Sequence, residues 1–67
     1  MKPSNLKKLR LSLNLTPQAC ANEMGITRQT VHNMEAGRTT KSASLYYYEL
    51  YLKEVKRRRD YAREHRQ

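Results

Sequence analysis

Apolar residues recur along this chain at intervals of three and four, and its β-branched residues never alternate over the length of a strand, so the pattern predicts helices. Leu6, Leu9 and Leu13 share one face of a first helix that begins at Ser4 or Asn5, just after Pro3, and runs to about Leu13, with Lys7 and Lys8 opposite. Thr16-Pro17 opens a second: a capping hydroxyl precedes a proline at the first helical position, where a missing N–H costs nothing. This helix spans residues 17–24, buries Cys20, Ala21 and Met24, and stops at Gly25, which takes the positive φ that a helix C-terminus commonly needs. Ile26 crosses a short turn, and Thr27 caps a third helix over residues 28–36, ended by Gly37. Val31 and Met34 face inward there. Arg28, Gln29, His32 and Asn33 stand at i, i+1, i+4 and i+5 and form one outward polar surface.

Residues 38–43 read as a polar loop, and from about Ser44 neither Gly nor Pro interrupts the sequence. One long helix over about 44–66 is the simplest reading. Leu45, Tyr48, Leu52 and Val55 make a stripe that seals the core, while Tyr46, Tyr47, Leu50 and Tyr61 lie broadly on the opposite side. That second stripe is read as an interface, with singly exposed tyrosines as the alternative. The expected class is therefore all-α, with four helices in one domain over residues 1–67.

Size bounds what such a domain can bury. A chain of 67 residues hides only about 60% of the surface its unfolded form exposes. With no Trp, no Phe and 37% hydrophobic residues, burial rests on aliphatic side chains, Met and five tyrosines, so help from a second copy is plausible on size alone. A single Cys excludes an internal disulfide framework. His32 and His65 are far apart and Cys20 has no neighbouring ligand, so no metal is expected; Cys20 is a packing residue. No nucleophile–base pair, carboxylate pair or phosphate loop can be assembled, which argues against an enzyme and against any cofactor or small-molecule ligand. With no charged leader and no long apolar run, the expected setting is a bacterial cytoplasm, the protein being encoded by the cell or by a phage, and no membrane partner is expected.

Charge narrows the partner. Fourteen basic against six acidic residues give a net charge of +8, which favours a polyanion. Lys2, Lys7, Lys8 and Arg10 carry the first flank without an acid, and seven bases between Lys53 and Arg66 outnumber Glu54, Asp60 and Glu64 in the last. The middle balances. Phosphate contacts need such charge and base-edge contacts need little, so two basic flanks around a neutral reader fit DNA. The bland alternative is that the C-terminal bases form a solvated helix face.

Two short helices joined by a tight Gly-containing turn, the second with a polar outward face, make a helix-turn-helix arrangement over residues 16–37. The landmarks Leu15-Thr16, Ala21, Met24-Gly25-Ile26, the polar run Thr27 to Thr30, Val31 and Glu35-Ala36-Gly37-Arg38 resemble the Cro/XRE-type helix-turn-helix family, which includes the lambdoid phage repressors. The resemblance covers roughly residues 5–45 and implies a lambda-repressor-like domain whose third helix reads bases. Carried onto this chain, it makes Arg28, Gln29, His32 and Asn33 the base-facing set. Chemistry agrees independently, since Arg pairs bidentately with guanine and Gln or Asn with adenine. Thr27, Thr30 and Gln18 are implied to hold phosphates at the helix starts, with Arg38 and Lys41 as further phosphate candidates. Thr27 also serves as a cap whether or not it meets phosphate. Arg10 and Glu35 match family positions that form a partly buried ion pair. Two departures stand out: many members have Gln where this chain has Pro17, which removes one phosphate contact, and they end in separate fourth and fifth helices rather than one long basic segment.

The expected function is a sequence-specific regulator of double-stranded DNA, a homodimeric repressor on an inverted-repeat operator. Two rivals stay open. One is an antitoxin-like module whose C-terminal helix occupies a protein partner; the other is non-specific binding of nucleic acid or anionic membrane through residues 53–66.

Overall fold

The computed structural model describes residues 2–39 and 41–65. Four helices follow one another, α1 Pro3–Ser12, α2 Pro17–Met24, α3 Arg28–Glu35 and α4 Ser42–Glu64, and there is no strand among the described residues. Boundaries differ from the expected ones by a residue or two. Pro3 is itself the first residue of α1, because its fixed φ suits a first turn, and Lys2 precedes it without a side-chain cap. The helix α4 starts at Ser42 and shortens the loop before it; of the expected span to residue 66, Arg66 lies outside the described residues.

Three successive helices close in the same way. Beyond α1, Asn14 adopts φ 57°, and the Leu15 N–H returns to the Arg10 carbonyl at 3.2 Å. After α2, Gly25 takes φ 69° and the Ile26 N–H bonds Ala21 O at 3.0 Å; after α3, Gly37 takes φ 73° and the Arg38 N–H bonds Asn33 O at 2.9 Å. Each closure satisfies carbonyls that the helix end would orphan, and each turns the chain back on itself. Short helices can then pack face to face.

The core gathers residues from all four helices. Leu6, Cys20, Ala21, Val31, Tyr48 and Leu52 are fully buried, Met34 and Leu13 nearly so, and Leu9, Leu15, Leu45 and Val55 pack around them. Met24, expected inside, sits half-buried at the edge, and Tyr51 joins the margin from α4. The stripe on α4 from Leu45 to Val55 thus lies across α1, while α3 rests against α1 and α2.

One polar side chain enters this core. Arg10 is 6% exposed, and its guanidinium grips Glu35 twice, Nε to Oε2 at 2.7 Å and Nη2 to Oε1 at 3.0 Å. The pair that the family resemblance implied is therefore present, with further support: Arg10 Nη1 donates to Leu15 O at 2.8 Å, and the Tyr48 hydroxyl donates to Glu35. Hydrogen bonding to Glu35 raises the Arg10 pKa, and burial, with the Glu35 bond, lifts the Tyr48 hydroxyl far above the tyrosine range. Among the described residues no buried side-chain nitrogen or oxygen lacks a partner. Cys20 is packed among these groups, its thiol pKa raised chiefly by burial.

The 23 residues of α4 make a rod of about 34 Å, longer than the body it packs on. Its last hold on that body is the Arg59 guanidinium, which donates to the Leu13 carbonyl at the end of α1. Beyond Arg59 the helix projects with only Asp60 half-buried, which stretches the molecule to 43 × 21 × 18 Å. Among the described residues no helix is long and apolar enough to cross a membrane.

Candidate nucleic-acid interface

The outward face of α3 is built from its first turn. Thr27 precedes the helix in extended geometry; its Oγ1 accepts the Thr30 N–H at 3.2 Å and shares a hydrogen bond with Thr30 Oγ1 at 2.8 Å. Val31 and Met34 are buried behind, so the rod cannot rotate without exposing them. Arg28, Gln29 and His32 are exposed; Asn33 is half-buried and accepts a 3.0 Å hydrogen bond from Gln29 Nε2. The four expected base-facing residues therefore do share one side of α3, with Asn33 set deeper than the others.

Pro17 brings the start of α2 to this face. Together with Arg28, Gln29 and His32 it lines a shallow open depression. Thr16 caps α2 by accepting the Ala19 N–H at 3.0 Å, and Gln18, exposed in the first turn, donates to Asn22 Oδ1 at 2.8 Å. Two helix N-termini, each with a positive dipole end, thus border one concave polar surface, an arrangement suited to phosphates flanking base edges.

The cations divide into two populations. Lys2, Lys7, Lys8, Arg28, Arg38 and Lys41 are exposed and make no ion pair among the described residues. Arg38 follows the closure at Gly37, and Lys41 stands just before α4, its N–H on Thr39 Oγ1 at 3.3 Å. Pro3, at the start of α1, comes near the same turn, since a Cβ at Gly37 would lie 3.9 Å from its ring; nothing in the sequence pattern pointed to that approach.

The bases of α4 are occupied instead. Lys53 pairs with Glu49 at 3.0 Å, Lys56 with Asp60 at 2.7 Å, Arg57 and Arg58 with Glu54 at 2.6 and 3.0 Å, and Arg63 with Asp60 at 2.7 Å. Arg57 first, then Arg58, holds the Glu54 carboxyl down at about 2, and Lys56 lowers Asp60. Counting charges by segment missed this pairing, although the i,i+3 and i,i+4 spacings that produce it are visible in the sequence.

The apolar face of α4 has two parts. Tyr46, Leu50 and Tyr61 point away from the core, 59%, 43% and 59% exposed, and the Tyr61 ring stacks on His65 at 3.9 Å. Tyr47, 68% exposed, sits further round the helix and lines a groove with Met24, Ile26 and Thr30. One turn of helix is 3.6 residues, so position 47 falls between the two stripes.

Helices α2 and α3, locked by a Gly25 turn and presenting a capped polar helix beside a second N-terminus, define a helix-turn-helix DNA-binding domain. Residues 6–46 match the family model described as Helix-turn-helix, and the chain belongs to that family, in its Cro/XRE-type branch of DNA-binding regulators, which are generally not enzymes. No curated protein and no solved structure matches the chain.

Proposed function

We propose that the protein is a sequence-specific repressor that binds an inverted-repeat operator as a symmetric dimer, with α3 of each copy in the major groove. The observation that carries this is the outer face of α3: Arg28, Gln29 and His32 are exposed, free of ion pairs, and grouped in one depression with Pro17 over the buried Val31 and Met34. Arg28 pairs with guanine and Gln29 with adenine, His32 reaches a neighbouring pair, and Asn33 lies behind them. Gln18, Thr27, Thr30, Arg38 and Lys41 hold the phosphates on either side. Repression is the simplest output of such a domain, because a dimer seated on a promoter excludes polymerase.

The dimer forms through Tyr46, Leu50 and Tyr61, with Tyr47 at its margin. These are the large apolar side chains that α4 leaves exposed away from the core. The same residues fit a second reading, an antitoxin-like protein whose α4 covers a different partner; a purified chain that stays monomeric at micromolar concentration would favour it. Charge-driven binding through α4 is the weaker reading, because five of its six bases are paired with acids of the same helix.

Selection of bound duplexes from a random pool tests the proposal directly. An inverted repeat with half-site centres one helical turn apart, about 34 Å, is the expected outcome. Arg28→Ala should relax preference at one base pair of each half-site by about 1–3 kcal/mol, measured by competition titration. Enrichment of no sequence at all would refute base reading.

A further inference from the structure

Gln29 and Asn33 stand one turn apart on α3, and the amide of the first donates to the amide oxygen of the second at 3.0 Å. Gln29 is exposed, whereas Asn33 is half-buried, its shorter side chain set closer to the helix axis and its backbone carbonyl closing α3 by accepting the Arg38 N–H at 2.9 Å. The shorter, half-buried member of the pair therefore restrains the longer, exposed one. We infer that Asn33 is a positioning residue for Gln29 and sets adenine above guanine at the base pair that Gln29 meets. This rests on α3 being the base-facing helix, as proposed above.

The argument is one of donors and acceptors. A carboxamide offers two N–H donors and one carbonyl oxygen. In the major groove adenine presents an acceptor, N7, and a donor, its N6 amino group, while guanine presents two acceptors, N7 and O6. An unrestrained Gln can answer either pattern, turning one N–H and its oxygen to adenine or both N–H groups towards guanine. With one N–H committed to Asn33, a single N–H and the carbonyl oxygen remain. That pair matches adenine and leaves one guanine acceptor facing nothing or the Gln29 oxygen. The bond also fixes the rotamer of a long side chain before DNA arrives, so less freedom is lost on binding.

Random-pool selection with the full chain and three variants separates the possibilities. Wild type should enrich adenine at one position per half-site, and Gln29→Ala should lose that preference. Asn33→Ala should still bind and keep every other position, while the adenine-to-guanine ratio at the Gln29 position falls roughly tenfold. Asn33→Asp retains an oxygen for the Gln29 amide and should keep the ratio, although its charge weakens all sequences alike. Circular dichroism confirms that the variants keep their helices, as expected for Ala in an α-helix. If Asn33→Ala leaves the ratio intact, or Asn33→Asp abolishes it, the inference is overturned while the reading of α3 stands. If Gln29→Ala changes no position, both fall.

Discussion

Arg10 is the residue on which the core is most exposed to single changes, because it carries a charge at 6% exposure and keeps it only through its partners. Removing one partner leaves that charge buried and unmatched, which costs about 3–5 kcal/mol. A chain of this length has a total stability of roughly 3–10 kcal/mol. Glu35→Ala should therefore unfold much of the population, whereas Tyr48→Phe, which removes a single hydrogen bond to Glu35, should cost about 1 kcal/mol by urea titration. Tyr48 also sets a limit at high pH. Its hydroxyl pKa is raised in the folded chain, so below the unfolded value near 10 both states hold the proton and stability does not vary with it. Above that pH the unfolded chain releases the proton first, binds fewer protons than the native state, and gains at its expense. Stability should fall by up to about 1.4 kcal/mol per pH unit through this group, and Tyr48→Phe should flatten that part of the profile.

At the scale of elements, the closures after α1, α2 and α3 decide how the helices meet, and they also show what the sequence could reveal. Gly25 and Gly37 were legible as stops because glycine advertises a positive φ, but Asn14 does the same work at φ 57° without the signature, so the end of α1 was placed only by its leucines. The capped starts at Thr16 and Thr27 were legible for the converse reason, since a hydroxyl before a helical run satisfies a known orphan. What stayed hidden depends on residues far apart in the chain: the Arg59 hold on Leu13, the approach of Pro3 to Gly37, and the bond from Tyr48 to Glu35. Of the reading face, the shared side of α3 followed from helical period, while the depth of Asn33 and its bond to Gln29 needed packing to define them. The closures make a direct test. A Cβ at Gly25 would meet nothing within 4 Å, so Gly25→Ala reports the backbone conformation alone and should cost about 1 kcal/mol. Asn14→Ala should cost a similar amount, and Asn14→Gly should stay within about 0.5 kcal/mol of wild type, all three read from denaturant midpoints at constant slope.

For the molecule as a whole, a net charge of +8 overstates what DNA can use. Five of the six bases of α4 stand beside acids of the same helix and the sixth, Arg59, is bonded to the Leu13 carbonyl, whereas the other cations without an ion pair among the described residues lie on and just before α1, at the start of α3 and around the turn between α3 and α4. Pairing does not merely lower a local potential; for Arg57 or Arg58 to reach a phosphate, its bond to Glu54 would first have to break. The unpaired groups face no such competition. Salt dependence measures the difference, since the logarithmic slope of affinity falls by about 0.9 for each phosphate that the protein no longer neutralises. Arg38→Ala and Lys41→Ala should each reduce the slope by about that amount per copy, with affinity lowered alike for all sequences. Arg57→Ala and Arg58→Ala, tested singly so that Glu54 keeps one partner, should leave the slope unchanged. A drop in either that matches Arg38→Ala would place α4 on the DNA and shift the interface from the turn after α3 to the projecting helix.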